Sequence, residues 1–203
     1  MFVTEMVSEL ISYSHQVTIC PNYVKKVIPK DWKYLNRMDF DTLYDLILTE
    51  KPRNIINLRN KPTESRWSIC LELTPVGFSP YVTTIQDVKL AIANILAGLD
   101  WLHQRGFVHR DIRWDNVIRE ANGQFRLIDL EMAGREGVVD YVIPTWPALE
   151  NSTYTKGVDL MMLDSMISRY DALLDRDAQE FRAKLTGHCT IEEVMKDPWL
   201  KNT

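Results

Sequence analysis

The stretch Phe107–Gly134 constrains this chain more than any other. Asp111 and Asn116 share one short polar loop, Val117-Ile118 follows, and after Asn122-Gly123 the apolar run Phe125, Leu127, Ile128 ends at Asp129. Asn-Gly between two apolar runs predicts a hairpin with a two-residue turn. A hairpin folds the chain back on itself, so Asp129 is expected beside Asn116. An amide and a carboxylate brought together offer the hard oxygen ligands that magnesium prefers. Asp111 is left free to accept a proton.

Composition narrows the setting. The 203 residues suffice for one or two small domains with a real core. Apolar residues make up 45% and charged residues 26%, as in globular proteins. A net charge of −4 argues against general nucleic-acid binding. Cys20, Cys70 and Cys189 have no metal-ligand spacing and read as reduced thiols. Met1–Leu10 carries Glu5 and Glu9 and no basic leader segment, and no apolar run reaches membrane-spanning length. The expected location is cytoplasmic or otherwise intracellular, with no membrane partner.

His109-Arg110-Asp111 with Asn116, followed by Asp129-Leu130-Glu131, resembles two motifs of the protein kinases, H-R-D-L-x-x-x-N and D-F-G. Asp129 matches the second motif, and Glu131 stands where the family has glycine. The resemblance implies an α+β, bilobal protein-kinase-like fold. Residues 1–76 would be a small β-rich N-terminal lobe with one helix, and 77–203 a mainly helical, truncated C-terminal lobe. It implies ATP and Mg2+, with a protein Ser/Thr hydroxyl as acceptor. Asp111 would orient that hydroxyl and take its proton. Arg113, where Ser/Thr kinases usually carry Lys, would contact the γ-phosphate. Asn116 and Asp129 would hold magnesium.

The same resemblance orders the rest of the chain. None of the eight glycines precedes Gly77, so a glycine-rich phosphate loop is missing. Val7–Leu10 and Gln16–Cys20 read as strands around Ser12-Tyr13-Ser14-His15 in its place, with side chains that hold the backbone farther from the phosphates. Tyr23–Ile28 looks like the family's lysine strand, and alternation puts Lys25 and Lys26 on opposite faces. Lys26, on the face of Val24 and Ile28, is favoured. Asp39–Thr49 reads as the next helix, which in kinases supplies a Glu to that lysine. Here Asp41 and Asp45 are the acids available. Trp67–Leu73 reads as a strand leading to a hinge at Glu72-Leu73-Thr74, with Leu71 just before it, and hinge backbone would bind adenine. Thr83–Arg105 is the most regular helix, opened by the capping-box pattern Thr83-Thr84-Ile85-Gln86 and stopped by Gly106.

Trp146–Glu150 looks like the A-P-E end of an activation segment, with Tyr141 and Thr145 its few hydroxyls after Glu131. The segment therefore reads as ordered without phosphorylation of a partner for Arg110. Asp159 resembles the Asp that anchors the catalytic loop backbone, and Thr190–Leu200 the closing segment of the domain. The resemblance runs from Val7 to Leu200, a complete but minimal domain with its substrate-docking helices shortened.

Two alternatives remain. Ile128–Glu131 is similar to the I-D-F-E of choline and aminoglycoside kinases, although those carry H-N-D or H-G-D and extra helices. A pseudokinase that binds a partner without phosphate transfer accounts for the missing glycines and helix Glu. It does not account for Asp111, Asn116 and Asp129 standing together.

Overall fold

The computed structural model describes residues 15–138, 153–187 and 189–201. The expectations at Val7–Leu10, Ser12, Ser14, Tyr141, Thr145 and Trp146–Glu150 lie outside these residues.

The N-terminal part is an antiparallel sheet with one helix. Its strands are β1 Gln16–Ile19, β2 Val24–Pro29, β3 Asn57–Leu58, β4 Thr63–Glu64 and β5 Ser68–Thr74, in the order β1-β2-β5-β3, with β4 also on β5. In β5 alternate residues are buried, and Ile69, Leu71 and Leu73 face the core, the period that a half-buried strand imposes. Helix α1, Arg37–Glu50, is capped by the Asn36 side chain and buries Phe40, Leu43, Tyr44 and Ile47. These recur at three- and four-residue spacing, so one face of the helix is apolar.

Helix α2, Ile85–Gln104, organises the C-terminal part. Thr84 caps it by accepting from the Asp87 N–H at 3.1 Å, so the cap and its partner each lie one residue beyond the expected Thr83 and Gln86. Val88, Ile92, Ile95, Leu99 and Leu102 are buried, and Gly106 ends the helix at φ +75°. Gly98 lets α2 approach the 54–55 segment closely, since a Cβ there would lie 2.9 Å from the Asn54 carbonyl. Strand β6, Phe107–Val108, pairs with β9, Gly134–Arg135. Between them β7, Val117–Arg119, and β8, Phe125–Leu127, form the expected hairpin.

The turn of that hairpin differs from the prediction. Glu120 donates its N–H to Gln124 and accepts from Gly123, and Gly123 has φ +86°. This is a three-residue loop closed by a left-handed glycine, not a two-residue turn. The return is preserved: the Ile128 N–H donates to the Asn116 carbonyl at 2.9 Å. Residue 127 also ties the two parts together, because Ile56 donates to its carbonyl and its own N–H donates to Asn54.

Helices α3 Lys156–Ile167, α4 Arg176–Leu185, α5 Ile191–Met195 and α6 Pro198–Lys201 complete the helical layer, with a 3-10 turn, Ser168–Leu173, after α3. Thr190 and Glu193 form a reciprocal capping box at α5. No helix among the described residues is long and apolar enough to cross a membrane.

Candidate active site

The floor of the site hangs from one carboxylate. Asp159, in the first turn of α3, is fully buried. Its Oδ2 accepts from the His109 N–H at 2.9 Å and pairs with His103 Nε2 at 2.9 Å, and its Oδ1 accepts from the Arg110 N–H at 2.9 Å. Burial opposes the charge, but the His103 hydrogen bond and the other neighbours outweigh it and hold the Asp159 carboxyl below its ordinary pKa. Arg110 takes a left-handed backbone, φ +72°. That conformation costs about 1–3 kcal/mol for a non-glycine residue. A hydrogen bond to a charged acceptor contributes about 1.5–3 kcal/mol, so the Asp159 contacts are large enough to offset it.

The Arg110 side chain is buried and turned away from the cleft. Its guanidinium donates to the Arg135 and Val138 carbonyls and lies 4.7 Å over the Tyr154 ring. A Cβ on Gly134 would stand 2.6 Å from it, which explains glycine there. Trp114 fixes the next part of the loop by donating to the Met166 carbonyl of α3 at 2.9 Å.

This loop presents Asp111. The Asn116 amide donates to the Asp111 carbonyl at 2.8 Å and to Oδ2 at 2.7 Å, so the amide oxygen is the atom left to act as a ligand. Arg113 Nε stands 3.3 Å from Asp111 Oδ1, on a half-exposed side chain. Asp111, Arg113, Asp129 and Glu131 line one cleft of about 240 Å³ with His15 and Trp32. Burial, and then the Lys26 charge, lower the His15 pKa to about 4, so its ring is neutral at neutral pH.

Opposite the loop, Lys26 of β2 is buried and forms an ion pair with Asp129. Its ammonium also lies 3.0 Å from Glu131 Oε2. Burial by itself would lower the Lys26 pKa; the two carboxylates reverse that and leave it raised. Glu131 is pushed up to about 7, mainly by burial, with Lys26 opposing and Asp129 adding repulsion.

The remaining predicted residues separate. Lys25 is exposed on the other face of β2. Neither helix acid reaches the lysine: Asp41 pairs with Arg37 at 2.8 Å and Asp45 is exposed. They stand four residues apart on the face of α1 away from Leu43 and Ile47. Leu71 is core. Glu72 turns outward within β5, its carbonyl accepting from the Arg59 N–H and its carboxylate from Asn60. Leu73 lines a second cavity of about 200 Å³ with Val17, Val24, Ile118 and Ile128, and Lys26 and Asp129 also line it.

These walls suit a planar apolar base with a polyanion leading toward Lys26. The Asn116 amide oxygen and the Asp129 carboxylate, whose side chain is 36% exposed, suit a hard divalent ion. Sequence reasoning missed Glu131 and Tyr44 as parts of the site. The signal available for Glu131 was an acid two residues past Asp129, where an ordinary surface charge would be unremarkable.

Residues 23–140, more than half of the chain, match the model of the protein kinase domain. Among curated relatives, mitogen-activated protein kinase kinase kinase 3 of Arabidopsis thaliana is 38% identical over 87 residues, 40% of this chain and 16% of the relative. Mitogen-activated protein kinase kinase kinase 1 of the same plant is 36% identical over 87 residues, 40% and 14% of the two chains. Serine/threonine-protein kinase TOS3 of Saccharomyces cerevisiae is 32% identical over 63 residues, 31% and 11%. The matched stretches thus span less than a fifth of each of these relatives.

Proposed function

The chain belongs to the protein kinase domain family, and from that premise we propose that it transfers the γ-phosphate of ATP to a protein Ser or Thr hydroxyl. The observation that carries the reading is Asp111, which the Asn116 amide holds at 2.7 Å and which lines one cleft with Asp129. The names of the relatives support a Ser/Thr protein acceptor over a small molecule.

In this reading Asp111 receives the acceptor hydroxyl on its carboxylate. The hydroxyl oxygen forms a bond to the γ-phosphorus, the bond from that phosphorus to the β–γ bridging oxygen breaks, ADP leaves, and the hydroxyl proton passes to Asp111. Asn116 orients Asp111 through its amide. Arg113 brings positive charge to the transferring group, as a planar fork rather than the point charge of a lysine. Lys26 holds the nucleotide phosphates. Magnesium, with Asn116 and Asp129 as its ligands, would neutralise phosphate charge. Residues up to 76 cover the nucleotide, and those from 77 onward carry the acceptor side.

Phosphate transfer to a generic protein acceptor tests this, beside Asp111→Asn and Asp129→Asn. Transfer by the wild type that both variants lose is the expected result. A wild type stabilised against heat by ATP yet unable to transfer would replace catalysis with nucleotide binding alone.

A further inference from the structure

We propose that Glu131 is the residue that positions Lys26, a task performed from beneath the cleft and not by an acid of helix α1. The inference rests on the kinase reading above and deepens it.

A phosphate-binding lysine on a strand needs a carboxylate partner to hold its long, flexible side chain in place, and in protein kinases the first helix supplies a Glu for that purpose. Here α1 carries four acids, and each is engaged or misplaced. Asp39 accepts from the Arg135 N–H at 3.0 Å. Asp41 pairs with Arg37, Asp45 is exposed, and Glu50 pairs with Arg105. Among the described residues, the carboxylates paired with Lys26 are Asp129 and Glu131.

Those two acids are not equivalent. The Asp129 side chain is 36% exposed and opens to the cleft, whereas that of Glu131 is 2% exposed. Magnesium keeps several of its waters, and the more open Asp129 is the acid placed to meet a hydrated ion, while a Glu131 oxygen lies within 4.8 Å of ligand atoms of Asp129 and His15. With metal on Asp129, Glu131 is the partner left to Lys26. Its other oxygen, Oε1, accepts from the Tyr44 hydroxyl at 3.2 Å. Tyr44 lies on the buried face of α1, its ring 4.4 Å from that of Phe40. The helix therefore acts on the lysine through a phenol and an intervening carboxylate. Asp129 sets up this approach: its left-handed backbone, φ +67°, starts the short 3-10 turn Leu130–Met132 that carries Glu131 inward.

A kinetic double-mutant cycle tests the proposal, with kcat/KM for ATP measured for the wild type, Glu131→Gln, Lys26→Met and both together. Misplacing a group at the reacting centre by about 1 Å costs about a hundredfold. Each single variant is expected to lose about that much, and the double variant no more than Lys26→Met alone. Losses that multiply, or a Glu131→Gln effect that excess magnesium restores, would overturn the proposal and make Glu131 an independent group or a metal ligand. Tyr44→Phe leaves every charge in place and serves if Glu131→Gln does not fold. It should lower kcat/KM several-fold in the wild type and have no effect on top of Lys26→Met; an equal loss in both backgrounds would also overturn the proposal. A wild type without transfer would instead sink the kinase reading, an outcome visible before any variant is compared.

Discussion

Asp159 and Glu131 are both buried carboxylates, and they are buried in opposite ways. Asp159 receives three directed hydrogen bonds, two of them from backbone, and is held ionised. Glu131 has one ammonium, one phenol and the Asp129 carboxyl beside it, and its pKa is pushed up to about 7. The difference separates a fixed support from an adjustable one. A charge saturated by donors locks a loop. A charge with a single cationic partner can respond when that partner is drawn to something else, as Lys26 would be to phosphate.

The sharpest way to break this contrast is to delete the support. Asp159→Ala leaves two backbone N–H groups and His103 unpaired, and removing one side of such a buried charged network costs about 3–5 kcal/mol. Chemical unfolding should show that loss; a cost under about 1 kcal/mol would remove Asp159 from its anchoring role. Next is Gly134→Ala, whose new methyl must displace the Arg110 guanidinium. Overpacking of this kind costs about 1–3 kcal/mol, and an unchanged midpoint would show that Arg110 relocates freely. Tyr44→Phe should cost about 1 kcal/mol, the worth of one hydrogen bond.

The finest test uses pH. The Asp159 pKa is depressed, so its contribution is present above its unfolded value near 3.8 and lost as pH falls through the folded value. The Glu131 pKa is raised from 4.5 to about 7, so its contribution is full below 4.5 and lost as pH rises toward 7. The two carboxylates tilt the stability profile in opposite senses. Glu131→Gln should flatten the decline between about pH 5 and pH 8 while leaving the acid limb intact. An unchanged slope would place the Glu131 pKa near that of an ordinary carboxylate.

What the sequence made legible depended on the range of the signal. The loop shared by Asp111 and Asn116 and the hairpin that returns the chain beside Asn116 were legible because local geometry follows from local residues. The sidedness of Lys26 against Lys25 followed from strand alternation. Helices α1 and α2 followed from apolar spacing. The hairpin turn was misjudged because Asn-Gly also occurs where only the glycine is left-handed. Asp41 and Asp45 lie on the outside of α1, because Leu43 and Ile47 occupy its buried face, and so neither acid reaches the lysine. The Glu131–Lys26 pair was out of reach for another reason. It joins residues far apart in the chain, and its geometry depends on the left-handed backbone at Asp129, which no periodicity announces.

Arg110 has one more consequence. Its guanidinium binds the Val138 carbonyl and covers the Tyr154 ring, and the Gly137 N–H donates to the Tyr154 carbonyl at 2.8 Å. The chain is thus clasped at the base of the segment that joins Val138 to Tyr154. Because Arg110 also belongs to the loop that presents Asp111, any loosening of this clasp would be transmitted to the catalytic loop through one side chain.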